Sequence, residues 1–427
     1  MKKNESSAAL DRRSFLTGVA AAGLASIATS AFAQQTDIGE ILAAPRRGNW
    51  DDQFDARSTT RAKVAGFQPI ASPETVSFTE SAINTYSQIV SNGGWPSVQP
   101  TVKLQLGVVD PSVPAMRKRL MISGDLAETA GLSNSFDTYV DAAVKRFQAR
   151  HGLPADGVMG QYSLAAMNVP ADIRLGQLQT NLERLRKLAT EDQGVRYVMV
   201  NIPAAQIEAV EAGRVAQRHT AIVGKIDRQT PILDSKIQEV ILNPYWTAPK
   251  SIIQKDIIPL MRKDPTYLTR NKIRLFNEQT REEIAPETVD WNTDDAMKLM
   301  FRQDPGKINA MSSTKINFPN PYAVYMHDTP QQGIFNKLMR FDSSGCVRVQ
   351  NVRDLNVWLL RDTPGWDRQT MEATIKTGVN TPIAVTNPVP LHFVYVSAWS
   401  TGDGVVHLRD DIYERDGQAA LSIGTNT

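Results

Sequence analysis

The chain has 427 residues, of which 41% are hydrophobic, and a formal net charge of +2 at neutral pH. A chain of this length exceeds one usual hydrophobic core, so two or three domains are expected. The near-neutral charge gives no reason to expect a nucleic acid or a strongly acidic surface as a partner.

The first 33 residues are expected to be an export signal. Asp11-Arg12-Arg13-Ser14-Phe15-Leu16 places paired arginines before an apolar stretch, and Ala31-Phe32-Ala33 supplies small residues for cleavage. This pattern is typical of the twin-arginine route, and the stretch is shorter than the roughly 20 apolar residues that a membrane span needs. The sequence therefore predicts a periplasmic protein, cleaved after Ala33, with no transmembrane segment after cleavage.

Two helical segments are predicted to form a scaffold. Residues 34–77 are polar and rich in Gly, Pro and charge, and are expected to be a flexible leader. The scaffold then begins at 78–112 and resumes at 169–195. In the second segment, leucines recur at the spacing of one helix face, at Leu175, Leu178, Leu182 and Leu185.

A separate helical domain is predicted over residues 113–168. Its apolar residues at helical spacing are Phe136, Val140, Val144 and Phe147. Glycines at 152, 157 and 160 are expected to supply the positive φ angles of tight turns. His151, alone beside a glycine turn, is predicted to be a structural cap and not a metal ligand.

This segment resembles the peptidoglycan-binding helical domain. The features that agree, in chain order, are an apolar helix, Gln148, Gly152-Leu153, Asp156-Gly157 and Gly160. Ser163 stands where that family usually has a threonine. The resemblance implies the bacterial cell wall as a partner.

Residues 196–390 are predicted to form a mainly β domain, followed by a strand and tail at 391–427. Short runs rich in β-branched and aromatic residues occur at 196–202, 237–242, 323–326, 382–385 and 392–396. The fold class expected for the whole chain is therefore α+β, with helical domains first and a mainly β domain after them.

A long insertion interrupts the β domain at residues 249–318. The strand pattern lapses there, and charged helical stretches such as Asp295 to Arg302 alternate with turns. Long insertions beside a catalytic strand are commonly lids or binding loops. A surface excursion without a role is the alternative.

Cys346 is the single cysteine of the chain, so it cannot form a disulfide within it. Chance, a metal ligand and a nucleophile remain as explanations. An accidental free thiol is a liability in an oxidising compartment. Gly345, Arg348 and a histidine nineteen positions earlier, His327, favour the nucleophile.

One local turn is expected to bring His327 and Cys346 together. His327 follows a predicted strand and opens a loop that Cys346 closes. The imidazole would then either take the thiol proton or hold a thiolate–imidazolium pair. The amides of Gly345 and Cys346 are expected to hold an oxyanion, and Arg348 to lower the thiol pKa or to bind a substrate carboxylate.

Four further residues are weaker candidates. Tyr325 is expected on the opposite strand face from His327, where it would pack in the core or in the wall of a cleft and would not act in catalysis. Asn243 and Trp246 fall in a turn that either lines the cleft or forms a structural corner. Ser344 would either donate to the oxyanion or cap a turn. No three spaced ligands suggest a metal, and no other cofactor is expected.

The segments around the histidine and the cysteine resemble the active-site signature of L,D-transpeptidases with a YkuD-type catalytic domain. They are Met326-His327-Asp328-Thr329-Pro330 and Ser343-Ser344-Gly345-Cys346-Val347-Arg348. Ser344 stands where many members have a second histidine. Other segments agree with the large branch that joins a scaffold and a peptidoglycan-binding domain to the catalytic one: Gly93-Gly94-Trp95-Pro96, Val223-Gly224-Lys225, Arg228-Gln229-Thr230-Pro231, Asn243-Pro244-Tyr245-Trp246 and Gln303-Asp304-Pro305-Gly306. The likeness extends in order from about Phe78 to Asp416.

This resemblance implies a mechanism. Cys346 would attack the carbonyl between meso-diaminopimelate and the terminal D-Ala of a tetrapeptide stem, and D-Ala would leave with a proton from His327. An amine of a second stem would then take the acyl group from the thioester. The substrate-binding residues would be Asn243, Trp246, Tyr325 and Arg348.

Two alternatives remain open from the sequence. The acceptor could be water or a protein amine, which would make the enzyme a carboxypeptidase or a protein-anchoring enzyme. The chain could also be a catalytically silent scaffold that binds the wall through its helical domain.

Overall fold

The computed structural model describes residues 66–422. The predicted signal and most of the predicted leader lie outside this range. No helix within the range is long and apolar enough to cross a membrane.

The first part of the described chain is helical. Its helices are α1 (Pro73–Ser91), α2 (Val113–Ile122), α3 (Thr138–Arg150), α4 (Gln161–Asn168) and α5 (Ala171–Thr190). Helices α1 and α5 pack along each other, as expected for a scaffold. Helix α1 starts inside the segment predicted as leader, because the Ser72 hydroxyl accepts the Thr75 N–H and so caps it.

Helices α2, α3 and α4 enclose a hydrophobic core of their own, which includes Met116, Leu120 and Phe147. A buried ion pair lies beside this core: Arg150 donates to Asp125 through Nε at 2.8 Å and Nη2 at 2.6 Å. Both side chains are at least nine-tenths buried. The two charges can be buried together because each satisfies the other with two hydrogen bonds.

The turns of this domain follow the sequence prediction at two glycines out of three. Gly152 and Gly157 have φ of +70° and +79°. The prediction for Gly160 was wrong: its φ is −74°, and it precedes α4 in extended conformation as the N-cap. His151 is confirmed as a cap, since it ends α3 and its Nδ1 lies 2.7 Å from the Phe147 carbonyl oxygen.

The second part is mainly β, as expected. In chain order its strands are β1 (Arg196–Asn201), β2 (Gln206–Glu211), β3 (Arg214–Gly224), β4 (Leu233–Leu242), β5 (Trp246–Thr247), β6 (Ile273–Asn277), β7 (Glu283–Ile284), β8 (Leu299–Gln303), β9 (Thr314–Asn317), β10 (Met326–His327), β11 (Phe341–Ser343), β12 (Val347–Val349), β13 (Thr381–Val394), β14 (Ala398–Ser400) and β15 (Val406–Leu408).

Nine of these strands form the main sheet, in the order β11-β3-β12-β10-β9-β4-β13-β1-β2. The sheet closes on itself because β3 pairs with β2 along its first half and with β12 near its end. Apolar side chains fill the interior, among them Val240, Met326 and Val347. Two later helices, α9 (Val352–Leu360) and α10 (Arg368–Thr377), pack against this core, and α6–α8 precede them in the insertion at 249–318.

Two strand predictions needed correction. The run 323–326 is mostly a turn, and β10 begins only at Met326. The Asn320 side chain accepts the N–H groups of Tyr322 and Val324, and Ala323 takes a positive φ of 54°. The runs 382–385 and 392–396 belong largely to one strand, β13, which pairs with β4 through a bulge.

The insertion at 249–318 contains a small subdomain, which we call the lid. Its helical segments are α6 (Lys250–Ile252), a π-helical turn (Ile253–Ile257), α7 (Ile258–Lys263) and α8 (Tyr267–Arg270). Strands β5, β8, β6 and β7 form a second sheet in that order, over a separate hydrophobic core. Within the insertion, β9 belongs to the main sheet instead.

The predicted helix from Asp295 to Arg302 was wrong. A single 3₁₀ turn (Asp295–Lys298) leads into strand β8. The alternation of buried Leu299, Phe301 and Gln303 with less buried neighbours has the period of a strand and fills the lid core.

The C-terminal segment joins the helical scaffold to the β domain. After β13, the chain forms the β14–β15 hairpin. From α5, Gln177 and Asn181 donate hydrogen bonds to the Ser397 hydroxyl at 3.2 and 2.8 Å. Arg184 pairs with Asp416 at 2.6 Å. These contacts are largely buried, so they hold the scaffold against the β domain.

Replacing Asp125 by Ala should lower the free energy of unfolding by about 3–5 kcal/mol, because it leaves the buried Arg150 charge unpaired. Urea unfolding followed by circular dichroism measures this. Lys145→Ala, which removes a surface i,i+4 pair with Asp141, is the matched control and should cost less than about 0.5 kcal/mol. Equal effects of the two substitutions would contradict the role given to the buried pair.

Candidate active site

The parallel pairing of β10 with β12 assembles the site. Met326 lies opposite Val347 and His327 opposite Arg348, and the Val347 N–H donates to the Tyr325 carbonyl at 3.0 Å. Met326 and Val347 point into the core and are fully buried. Because successive side chains of a strand alternate between faces, the other face receives four candidate residues: Tyr325, His327, Cys346 and Arg348.

This geometry corrects the prediction for Tyr325. It lies two positions before His327 along the chain, so both side chains share one face, and their ring centroids are 5.5 Å apart. Tyr325 also lies within hydrogen-bonding reach of the Cys346 thiol and of the Trp246 side chain. It is therefore part of the site.

His327 is held as a neutral base. Its Nδ1 lies 2.5 Å from the Asp328 carbonyl oxygen. A carbonyl can only accept, so Nδ1 bears the proton and Nε2 presents a lone pair. Burial, together with the positive charges of Arg348 and Lys315, lowers the pKa of His327 to about 3. The imidazole is thus unprotonated over the physiological pH range.

Cys346 is held as a neutral thiol. Its side chain is partly exposed. Burial raises its pKa above the ordinary value, while hydrogen bonding to Tyr325 and the charges of Lys315 and Arg348 act in the opposite direction. Of the two sequence-based alternatives, this favours proton transfer to His327 during reaction over a thiolate–imidazolium pair at rest.

The turn before Cys346 is fixed by three hydrogen bonds. The Gly345 N–H donates to the Ser343 hydroxyl at 3.1 Å, and that hydroxyl donates to the Cys346 carbonyl at 2.5 Å. Thr230 donates to the Gly345 carbonyl at 2.9 Å. Gly345 has a φ of +106°, which favours glycine.

These hydrogen bonds change which backbone amide can donate to an oxyanion. The Gly345 amide, predicted as a donor to it, is already occupied by Ser343. Within the described chain the Cys346 amide has no acceptor, so it is the backbone donor that remains for a developing negative charge.

A second loop supports the turn from behind. The Gly224 N–H donates to Thr230 Oγ1 at 2.9 Å, and Tyr413 donates to the Gly224 carbonyl at 2.6 Å. A Cβ on Gly224 would lie 2.2 Å from the Arg228 carbonyl oxygen. Only glycine therefore lets residues 225–229 fold back so closely, and this closeness brings Thr230 to Gly345.

Sequence reasoning missed Lys315. In β9 it pairs opposite His327, which puts its side chain on the face of the site. Its Nζ lies 4.4 Å from the centre of the Tyr325 ring, and burial lowers its pKa. Lys315 falls inside the predicted insertion, and only the strand register reveals its position.

Two positive charges lie in the site. The side chains of Lys315 and Arg348 have no ion pair within 4 Å among the described residues, and the carboxylates that act on them, Glu239 and Asp342, do so at longer range. Both lie near Cys346. The arrangement suits a ligand with carboxylate groups.

Asn243 and Trp246 separate into different roles. Asn243 is buried with a positive φ of 49°, and its side-chain amide donates to the carbonyls of Thr374 and Val379, both at 3.1 Å. These contacts favour the structural corner over the cleft lining as the role of Asn243. Trp246 begins the lid sheet and reaches Tyr325, so it lies at the edge of the site.

Ser344 takes part in a link between the catalytic turn and the lid. Arg228 donates to the Ser344 hydroxyl at 2.9 Å and to the two carboxylate oxygens of Asp256 at 2.5 and 3.1 Å. Asp256 lies in the π-helical turn of the lid. This contact supports a role of Ser344 in holding the turn over donation to the oxyanion.

No group of three or more His, Cys, Asp or Glu side chains within residues 66–422 is arranged to hold a metal ion.

Two known domain families match the chain. Residues 195–382 match the L,D-transpeptidase catalytic domain (YkuD), and residues 109–167 match the putative peptidoglycan binding domain. Both agree with the resemblance seen in the sequence, which they confirm.

One relative and two solved structures are also similar. A putative L,D-transpeptidase of Haemophilus influenzae is 36% identical over 250 residues, which cover 58% of this chain and 49% of that protein. The chain thus spans about half the length of this relative. An L,D-transpeptidase structure from Xylanimonas cellulosilytica is 16% identical, with a TM-score of 0.23, and covers 70% of this chain and 99% of that one. One from Mycobacterium smegmatis is 11% identical, with a TM-score of 0.24, and covers 47% and 58%.

The rate of Cys346 alkylation by iodoacetamide should rise steadily from about pH 6 to about pH 9, because the reactive thiolate forms only as the raised pKa is approached. His327→Gln should leave this profile unchanged, since the neutral imidazole does not set the resting thiolate fraction. As the sole cysteine, Cys346 can be followed by intact mass, with Cys346→Ser as the blank. A rate independent of pH over this range would indicate an ion pair and contradict the assignment.

Asp256→Asn should loosen the contact between the lid and the catalytic turn, because it removes the negative charge that pairs with Arg228. Amide hydrogen exchange of residues 250–263 is expected to become about two- to five-fold faster, the range that a partly exposed ion pair can supply. Asp227→Asn is the matched control, because Asp227 lies 3.8 Å from the same arginine but outside the lid. Unchanged exchange in Asp256→Asn would show that this pair does not hold the lid.

Proposed function

Because residues 195–382 are an L,D-transpeptidase catalytic domain of the YkuD family and residues 109–167 a peptidoglycan-binding-type domain, we propose that the protein is a peptidoglycan L,D-transpeptidase with Cys346 as its nucleophile. The observation that carries this proposal is the shared face of β10 and β12. The proposal is supported by a neutral imidazole protonated at Nδ1 and a partly exposed thiol on the same face of the paired strands.

In the acylation step, His327 Nε2 takes the Cys346 proton as Sγ attacks the carbonyl between meso-diaminopimelate and D-Ala of a tetrapeptide stem. The Cys346 N–H donates to the oxygen that becomes negative. The imidazolium then gives its proton to the leaving amine, the C–N bond breaks, and D-Ala departs. A thioester to Cys346 remains.

In the transfer step, the side-chain amine of a second stem attacks the thioester carbonyl. His327 accepts the proton of the attacking amine and returns it to Sγ as the C–S bond breaks. The product is a link between two diaminopimelate residues, and the enzyme regains its neutral pair. The low pKa of His327 supports this cycle, because the base is unprotonated at the start of each step.

We assign donor recognition to Lys315 and Arg348. A tetrapeptide stem has several free carboxylates, and the side chains of these two cations face the site without a close ion-pair partner in the described range. Tyr325 and Trp246 form the wall beside them. Ser344 and Asn243 act on the shape of the turns and do not contact substrate.

We also propose that the enzyme works in the periplasm after export by the twin-arginine route. The paired arginines before the apolar stretch support this location. Peptidoglycan stems are present in that compartment, so the location agrees with the substrate.

The test is incubation of the protein with purified disaccharide-tetrapeptide, followed by mass spectrometry. We expect a dimer that lacks one D-Ala, with Cys346→Ala abolishing it and His327→Gln slowing it by at least about 10²-fold, the usual contribution of a general base. Formation of tripeptide without dimer would show that the thioester is hydrolysed and not transferred to a second stem. No reaction at all, in a folded protein, would favour the silent scaffold.

A further inference from the structure

A cavity of about 50 Å³ lies between the helical domain and the β domain. His151 and Arg174 line it from the helical side, and Arg340 and Arg409 from the other side. A single water needs about 10–15 Å³. The cavity therefore has room for a few waters or for one group the size of a carboxylate or phosphate.

The lining of the cavity is strongly basic. Three guanidinium groups, those of Arg174, Arg340 and Arg409, face it with one carboxylate, that of Asp410. Burial lowers the pKa of Arg174 to about 10 and that of Arg409 to about 9, and the neighbouring charge of Arg340 adds to the effect on Arg409. So many cations at close range are unfavourable unless an anion joins them.

Two buried nitrogens of the lining arginines lack hydrogen-bond partners. Arg174 is only 1% exposed, and its Nε has no acceptor within the described residues. The Nε of Arg340 is also buried without an acceptor there. Both nitrogens lie below the accessible surface, so an oxyanion in the cavity would act on these arginines through their charge and through the guanidinium atoms that line the cavity.

The position of Arg409 is determined by a glycine. Its Nη1 donates to the carbonyls of Arg150 and Leu408, both at 2.8 Å. A Cβ on Gly152 would lie 2.8 Å from Arg409 Nε. The missing side chain of Gly152 thus lets an arginine of the C-terminal segment lie against the end of α3.

We propose that this cavity binds one oxyanion, a carboxylate or phosphate group, which bridges the helical domain and the β domain. Guanidinium groups pair with a carboxylate or phosphate through two parallel hydrogen bonds, which fits the arginine lining of the cavity.

Anion binding in this cavity does not depend on the proposed transferase chemistry, although the cavity adjoins strand β11 of the main sheet. Arg340 directly precedes β11, and its carbonyl accepts the Val223 N–H at 3.0 Å. Strand β11 leads into the turn of Gly345 and Cys346. An anion on Arg340 would therefore hold the strand that enters the catalytic turn.

Two sources share this chemistry: a free carboxylate of a peptidoglycan stem held by the helical domain, and a free inorganic anion. Isothermal titration of the chain without its signal, with sodium phosphate against sodium chloride at equal ionic strength, tests the site itself. Competition by the stem tripeptide, which has no D-Ala to lose, then distinguishes the sources. Displacement of phosphate by the tripeptide assigns the site to the wall polymer, and its absence assigns it to the free anion.

The expected result is saturable binding of one phosphate, weakened at least tenfold in Arg340→Gln and in Arg409→Gln. Arg409→Lys retains the charge without the planar fork, so it should weaken binding less and serves as the second variant if Arg409→Gln unfolds. Arg214→Gln changes the net charge equally at an exposed position that does not line the cavity, and it should bind as the parent does. Absence of saturable phosphate binding, or equal weakening in Arg214→Gln, would overturn the proposal.

Discussion

The parallel pairing of β10 with β12 is the constraint on which the site depends. Each strand buries one residue in the core, Met326 and Val347, and the neighbouring side chains must then point outward together. A slip of one residue in either strand would move His327 or Cys346 into the core and expose an apolar side chain. The packing that stabilises the fold therefore also fixes the relation between the base and the thiol.

Parts of the chain far apart in sequence support this strand pair. Thr230 holds the Gly345 carbonyl, and Tyr413 from the C-terminal segment holds the loop that presents Thr230. Arg228, in the same loop, reaches both the catalytic turn and the lid. The C-terminal segment also contacts α5, so the helical scaffold, the tail and the catalytic turn are mechanically connected through a few buried polar contacts.

Sequence reasoning succeeded where the signal is local. Helical spacing located α3 and α5. Sequence reasoning failed where register or tertiary packing decides. His327 and Cys346 share a face through the parallel pairing of β10 with β12, and not through the single local turn that the sequence suggested. The strand that replaces the predicted helix at Asp295–Arg302 forms because its alternate residues fill the lid core. Lys315 belongs to the site only through its register with His327, and Gly345 loses its expected role because Ser343 occupies its amide.

The central claim is that Cys346 forms a thioester with the donor stem, and the most direct test is to trap that intermediate. The protein would be mixed with tetrapeptide, quenched in acid within the first turnovers, and analysed by intact mass and peptide mapping. The account predicts a mass increase equal to the donor without D-Ala, located on Cys346 and removed by hydroxylamine. An active enzyme with no adduct at Cys346, or with the adduct on another residue, would contradict it.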